Sequence, residues 1–423
     1  MNFGIISTGS RGDVQPFVAL ALGLMRKGHD VTLVTSENFN HFVSGFGVRF
    51  LPITGDSETT INSPEALQLL EGGNVFKFIY HLIKIGERTA PQANRDILRA
   101  CERFDGLIVS VLPLPIVYSI AEKYRKPCAV VFLSLPPIPT REFPYQALNV
   151  RIPSWLNKVS YRLIRLAYRM SSNQINDFRK EIGLAPANLL KTFERSNMLA
   201  ILAESQELVK RPADWPPNAH VSGFFYLPPV VRAAAHSWDI EPEGLEQWLS
   251  AGETPVYIGF GSIPIPNPAQ FYAVLQGVLA RKRVVLGKGW SVLADLPAHP
   301  NLFAAKYFDH DKLLPRCSVA IVHGGIGTIG AVLKSGIPII VVSILADQPI
   351  NGKLIERREL GFHIPFKKLT AERLLHAIAA AQSPLILENC RDTAVRIRTE
   401  DGVGNAVGLI EEYFEGKHRP ASA

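Results

Sequence analysis

Cysteine is scarce in this chain: Cys101, Cys128, Cys317 and Cys390 are four residues in 423, far apart, with no Cys-x-x-Cys and no His/Cys cluster at metal-ligand spacing. A disulfide scaffold and a zinc module are thereby excluded, and a reducing, cytoplasmic setting fits best. Long apolar runs are missing as well. No stretch approaches the roughly 20 residues that span a bilayer. The chain opens directly on Asn2-Phe3-Gly4-Ile5-Ile6, without the basic region, apolar core and cleavage site of a signal peptide. The expectation is a soluble protein. One-signed charge is also lacking: the net +7 comes from Lys and Arg spread beside plentiful acids, so nucleic-acid binding is not indicated.

What is present is a globular composition, 47% hydrophobic and 20% charged, in a chain long enough for two domains. The opening reads as strand (3–6), Gly-rich turn (7–12), helix (14–26) stopped at Gly28, and strand (30–35), one βαβ unit. Short apolar strands follow at 50–52, 106–110 and 128–132, with a helix at 116–124. A second series of strands, at 255–260, 283–286, 302–304, 319–322 and 338–342, again alternates with helical stretches. Between the series, 211–243 is rich in Pro and Ala, with Trp215-Pro216-Pro217 and Pro228-Pro229. Two doubly wound α/β domains follow, with a linker at 225–243. In such sheets ligands bind beyond the carboxyl ends of the strands, so two of them facing each other would form a cleft for two substrates.

The most informative stretch is His323-Gly324-Gly325-Ile326-Gly327-Thr328. It joins the β-branched run Val319-Ala320-Ile321-Val322 to a helix read from Ile329 to Lys334 and stopped at Gly336. A helix N-terminus offers unpaired N–H groups, and glycines let an anion approach them closely. His323 and Thr328 add side-chain donors. The alternatives are a turn that merely packs a helix on a sheet and a histidine bonded at a strand end.

With both halves in view, the chain resembles the GT-B glycosyltransferases, in particular the nucleotide-sugar-dependent family 1 that includes sterol glucosyltransferases and the bacterial transferases that glycosylate glycopeptide antibiotics. The motifs are Gly9-Ser10-Arg11-Gly12-Asp13-Val14-Gln15-Pro16 at the N-terminus. Later come Gly287-Lys288-Gly289-Trp290, Asp309-His310-Asp311, His323 to Thr328, Asp347-Gln348-Pro349 and Glu400-Asp401-Gly402-Val403-Gly404, in the family's order. The resemblance implies two Rossmann-like domains facing across a cleft. The first, acceptor-binding domain would span 1–224, and the nucleotide-sugar domain 244–395. At 396–423 a terminal helix would cross back to the first domain.

The resemblance also implies roles. His323, the amides of Gly324, Gly325 and Gly327, and the Thr328 hydroxyl would bind the diphosphate of a UDP-sugar and stabilise the charge that grows on the leaving group. Ser262, just past the first strand of the second domain, would reach a phosphate oxygen, or simply turn the chain. Asp347 and Gln348 would bond sugar hydroxyls, while Asp347 would serve equally as a helix cap. Trp290 is a platform for the uracil ring or an interior packing residue. His310 and Asp311 line the base pocket or a charged surface loop. No metal or other cofactor is expected, because the family's phosphate site supplies its own positive potential. Asp309-His310-Asp311 has Asp-x-Asp spacing but matches the base-pocket loop.

Two departures stand out. Plant members of the wider family hold the ribose with an acid at the position of Ala331. They also use a His oriented by an Asp as base, where this chain has Asp13 and Ser110. The sterol and antibiotic branch of the family carries the same Asp, so the resemblance makes Asp13 the candidate general base, and its alternative is a cap on the helix that follows. The reaction implied is a single displacement with inversion, moving glucose or a related hexose.

Acceptor identity falls in apolar, proline-rich stretches of the first domain, with Phe76, Ile79, Leu112, Leu135 and Phe143 as pocket candidates. They suit a flat lipophilic alcohol: a sterol, terpenoid, flavonoid or polyketide. From Arg151 to Asn176 there is no acid, while Lys158, Arg162, Arg165 and Arg169 interleave with Trp155, Val159 and Leu163. This segment suits either a solvated helix over the acceptor or a weak peripheral contact with an anionic membrane. A competing, non-enzymatic reading is an accessory protein that binds lipid or nucleotide-sugar without turnover. An NAD(P)-dependent oxidoreductase would need a Gly-x-Gly-x-x-Gly turn that Gly9-Ser10-Arg11-Gly12 does not supply.

Overall fold

The computed structural model describes residues 1–71, 75–145, 152–227, 242–289, 296, 298–345 and 347–416. Seven strands make the first sheet: β1 (Asn2–Ile6), β2 (Asp30–Ser36), β3 (Arg49–Ile53), β4 (Gly106–Val109), β5 (Cys128–Phe132), β6 (Leu199–Leu202) and β7 (Ala219–Val221). Their order is β3-β2-β1-β4-β5-β6-β7, and every pairing is parallel. The order reverses between β1 and β4, the switch point at which such sheets place ligands. Near-continuous apolar strands are what a sheet covered on both faces requires, and β4 and β5 are buried throughout.

This first unit comprises Met1–Asp56, Gly86–Ala234 and Asp401–Ala423. Its opening helix, Arg11–Arg26, packs against the last helix, Gly402–Phe414. A Cβ on Gly23 would stand 2.4 Å from Val403 Cγ1, so glycine permits the close crossing. Phe414 then meets Phe3 of β1 edge to face, with ring centroids 5.0 Å apart. Burying aromatic rings of this size is worth about 1.5–3 kcal/mol each, which fastens the C-terminal helix to the N-terminal sheet.

The second unit comprises Ser57–Ile85 and Ala235–Glu400. Six strands form its parallel sheet: β8 (Val256–Gly259), β9 (Val284–Gly287), β10 (Leu302–Ala305), β11 (Ala320–Val322), β12 (Ile339–Ser343) and β13 (Gly361–Pro365), in the order β10-β9-β8-β11-β12-β13. Side chains alternate between faces. Val256, Ile258, Val284, Leu286, Ile321, Ile340 and Val342 enter one core, filled from the helix side by Phe271, Val274, Val278, Leu374 and Ile378. Tyr257, Gly259, Val285, Gly287 and Val322 alternate with them on the other face.

Three strands, β6, β7 and β13, are additional to those read from the sequence. Ser57–Ile85, which the sequence reading placed in the first domain, belongs with the second unit. There Ala66 is fully buried among Ile61, Leu69 and Leu345. Most of the linker read at 225–243 lies outside the described residues. All four cysteines are buried free thiols, Cys101 and Cys317 each pushed up to about 12 by desolvation.

Candidate functional site

Parallel strands of the second unit all end on one edge, so the segments after β8, β9, β11 and β12 emerge there together. After β8, Gly261 takes φ +59° and Ser262 follows, half-buried. After β9, Gly289 takes φ +56°, and a Cβ there would strike the Gly261 carbonyl. The two loops can approach this closely because position 289 is glycine, while a Cβ on Gly261 would instead press on the His323 ring at 3.1 Å. Trp290, next in the chain, lies outside the described residues.

After β11 comes His323, 8% exposed. The helix begins at Ile326, three residues earlier than the sequence reading, and runs to Ser335. Ile329 N–H bonds the Gly325 carbonyl at 3.0 Å, so the N–H groups of Ile326, Gly327 and Thr328 belong to the first turn, where no intrahelical carbonyl is available. Two of the three glycines have a steric reason. Gly324 adopts φ +100°, and its Cβ would lie 2.7 Å from Val341 Cγ1. A Cβ on Gly325 would lie 2.4 Å from His323 Nε2, whereas one on Gly327 would meet nothing within 4 Å. Gly327 therefore borders open space at the positive end of the helix dipole.

Burial holds the His323 imidazole well below its usual range, to about 4; contact with the Gly259 backbone raises it in part, and the charge of His310 lowers it further. Its Nδ1 has no hydrogen-bond partner among the described residues. Such a ring is neutral at pH 7 and gains from an arriving anion, which favours its protonated form.

After β12, Asp347 precedes the helix Gln348–Arg357. Its carboxylate makes no capping bond; Oδ2 instead accepts from Asn351 Nδ2 at 3.2 Å, and desolvation raises its pKa. Gln348 is buried, and its Oε1 already accepts from the N–H groups of Ile344 and Leu345 at 2.8 and 3.1 Å. Among the described residues its amide nitrogen has no hydrogen bond, so the capacity it offers a ligand is narrower than sequence suggested. Asn351, which sequence reasoning passed over, also donates to the Gly324 carbonyl at 2.9 Å. It ties the two loops together.

On the outer side, Asp309 caps the short helix His310–Leu313 by accepting from Asp311 N–H at 3.0 Å. Asp311 pairs with Lys334, in the last turn of the helix that starts at Ile326, at 3.2 Å. Tyr257, a second residue missed in the sequence, places its hydroxyl 2.8 Å from His310 Nε2.

In the first unit, Asp13 occupies the third position of the helix Arg11–Arg26, not the cap position itself. Its Oδ2 accepts from Ser10 N–H at 2.7 Å and Ser10 Oγ at 2.9 Å. The carboxylate therefore does cap the helix, from inside its first turn. Gly9 takes φ +128°, and a Cβ there would lie 2.4 Å from Asp13 Oδ2. Ser110, at the end of β4, is buried.

Comparison with known proteins decides the family. The glycosyltransferase family 28 N-terminal domain matches residues 3–144, and the erythromycin biosynthesis protein CIII-like C-terminal domain matches 286–403. A sterol 3-beta-glucosyltransferase of Arabidopsis thaliana is 32% identical over 98% of this chain and 68% of its own length. The chain belongs to the GT-B glycosyltransferases. A sterol 3-beta-glucosyltransferase of Pichia angusta is 29% identical over 98% of this chain but only 33% of its own length. This glycosyltransferase thus spans about two thirds of its plant relatives and a third of the fungal one. The crystal structure of the kitacinnamycin glycosyltransferase superposes with a TM-score of 0.72, covering 97% of this chain and 98% of that one at 17% identity, a likeness of fold.

Of the acceptor-pocket candidates in this glycosyltransferase, Leu135 and Phe143 are half-buried and Leu112 is 63% exposed. The side chains of Phe76 and Ile79 lie outside the described residues. In the acid-free stretch Trp155 is 74% exposed beside exposed Lys158 and Arg162, and the side chains of Arg165 and Arg169 lie outside the description. No helix among the described residues is long and apolar enough to cross a membrane.

Proposed function

We propose that this glycosyltransferase moves glucose, or a related hexose, from a UDP-sugar to a hydroxyl of a small lipophilic acceptor such as a sterol, terpenoid, flavonoid or polyketide, with inversion and without a metal. The observation that carries the reading is the junction after β11: the buried imidazole of His323 lies against Gly325, Asn351 ties Gly324 to the carboxylate of Asp347, and the first-turn N–H groups that follow run on to the open space at Gly327. Such a space suits a diphosphate with a sugar attached. Helix-terminal amides and His323, with Thr328 and Ser262, would take up charge as the bond from C1 to the diphosphate oxygen breaks. Asp347 would accept from sugar hydroxyls, and Gln348 would donate through its remaining amide nitrogen.

The first unit would supply the base. Asp13 would take the acceptor hydroxyl proton as that oxygen attacks C1. Help of this kind is worth about 10²–10⁴ in rate. The apolar sequence of the first domain and the sterol transferases among the relatives support a lipophilic acceptor, and exposed Trp155 beside Lys158 and Arg162 supports a weak contact with an anionic membrane. Release of UDP from UDP-glucose, measured against a panel of sterols, terpenols, flavonoids and polyketides, tests the reading. Binding of UDP-glucose with no turnover on any acceptor would replace it with the accessory-protein reading.

A further inference from the structure

After β5 the chain makes a long irregular excursion. Residues 133–145 form neither helix nor strand. In compact domains an irregular stretch of more than about 12 residues is uncommon and, where it is ordered, usually functional. This one carries Leu135 and Phe143, two of the acceptor candidates. It leaves the carboxyl end of β5, the strand beside β4 and so next to the switch point. Parallel sheets bind their ligands beyond that edge.

The far part of the loop is held from two sides. On one side Asp214, in the segment between β6 and β7, accepts from Thr140 Oγ1 at 2.6 Å through Oδ1 and from Arg141 N–H at 3.1 Å through Oδ2. Thr140 is fully buried, and its Oγ1 accepts in turn from Glu142 N–H at 3.1 Å. Glu142 Oε1 answers by accepting from Ala213 N–H at 3.1 Å. Two carboxylates thus clasp two backbones reciprocally. On the other side stands the short helix Asn157–Ser160. Asn157, 4% exposed, donates to the Arg141 carbonyl at 2.8 Å, and Ser160 Oγ accepts from Tyr145 N–H at 2.6 Å. The backbone is therefore fixed at 141, 142 and 145. Phe143, half-buried, lies between these anchors. A loop ordered before its ligand arrives loses little conformational entropy on binding.

We propose that Asp214 and Asn157 are positioning residues for acceptor selection, holding the loop in one course so that Phe143 meets a flat apolar acceptor as a fixed wall. This rests on the reading of Phe143 as an acceptor-pocket residue. The preference for an apolar molecule is then set in part by polar side chains that never touch it.

Asp214 is exposed, so Asp214→Asn should fold, and its amide presents one accepting oxygen where the carboxylate presents two. Hydrogen exchange at the Arg141 and Glu142 backbone N–H groups should quicken. The acceptor KM should rise about tenfold, as for the loss of one charge-assisted bond, with the donor KM unchanged. Asn157→Ala, which releases the Arg141 carbonyl, should act in the same direction. In a Phe143→Ala background Asp214→Asn should add no further rise in acceptor KM; an equal rise there overturns the part given to Phe143. Unchanged exchange in Asp214→Asn overturns the proposal, and so does quicker exchange with an unaltered acceptor KM, which leaves the transferase reading standing. Absence of turnover by the unaltered protein on every acceptor would remove that reading and this one together.

Discussion

Asn351 donates to Asp347 Oδ2 at 3.2 Å with one side-chain amide, and the same nitrogen bonds the Gly324 carbonyl at 2.9 Å. The residue is 4% exposed, so water is a poor substitute for either bond. Replacement by leucine, similar in size, would leave a buried carbonyl and a half-buried carboxylate unsatisfied. Asn351→Leu should lower stability by about 1–3 kcal/mol in chemical denaturation and should also raise the donor KM. A loss of stability with an unaltered donor KM would show that the tie between the two loops is architectural alone.

Asp13 carries two duties that separate by substitution. Asp13→Asn retains an oxygen for Ser10 but cannot take a proton. Its kcat should fall by about 10²–10⁴ with UDP affinity intact. Asp13→Ala loses the capping bonds as well and should unfold about 1 kcal/mol more easily. Turnover by Asp13→Asn at the native rate would refute the base assignment.

Gly9 offers an independent test of the same carboxylate. Gly9→Ala places a methyl 2.4 Å from Asp13 Oδ2 at φ +128°. Transfer should fall toward the level of Asp13→Asn, with donor binding retained. Full activity would mean that the position of this carboxylate does not matter to the reaction.

His323 gives a pH signature. Its folded pKa, about 4, lies below the ordinary 6.5. As pH falls, the unfolded chain takes up a proton near 6.5, while the folded protein stays neutral until about 4. Stability therefore declines through that window and rises again in the reverse direction, by about 3 kcal/mol in all. His363, also lowered by burial, adds a term of the same sign. His323→Gln should flatten this acid limb in thermal melts of the free protein between pH 6.5 and 4, and should weaken UDP-glucose binding at pH 7. An unchanged acid limb would mean that the native ring is already charged.

The paired strands and the glycine turn were legible because their signals are local. A β-branched run, three glycines and a following helix stop are contiguous at 319–336. The helix start was read late, at Ile329, because Gly327 lowers helix propensity; the structure begins the helix at Ile326 nonetheless. Tyr257 was not legible, since its meaning depends on Gly287 in a neighbouring strand and on His310 further along the chain. Two glycines that close buried strands, Gly259 and Gly287, without a positive φ were the trace it left. Gln348 shows the converse limit. Its place after β12 could be read from sequence, but only folding reveals that its oxygen is already occupied by the loop that carries it.

The segment Ser57–Ile85 leaves the first sheet after β3 and buries Ala66 against Leu345, two residues before Asp347. Heredity and recombination would not respect the linker as a clean seam. A hybrid enzyme joined at 225–243, with the second half taken from a relative of different donor preference, would meet a foreign residue opposite Ala66 and loosen the loop that bears Asp347. Grafts that exchange donor preference should carry residues 57–85 with the second half.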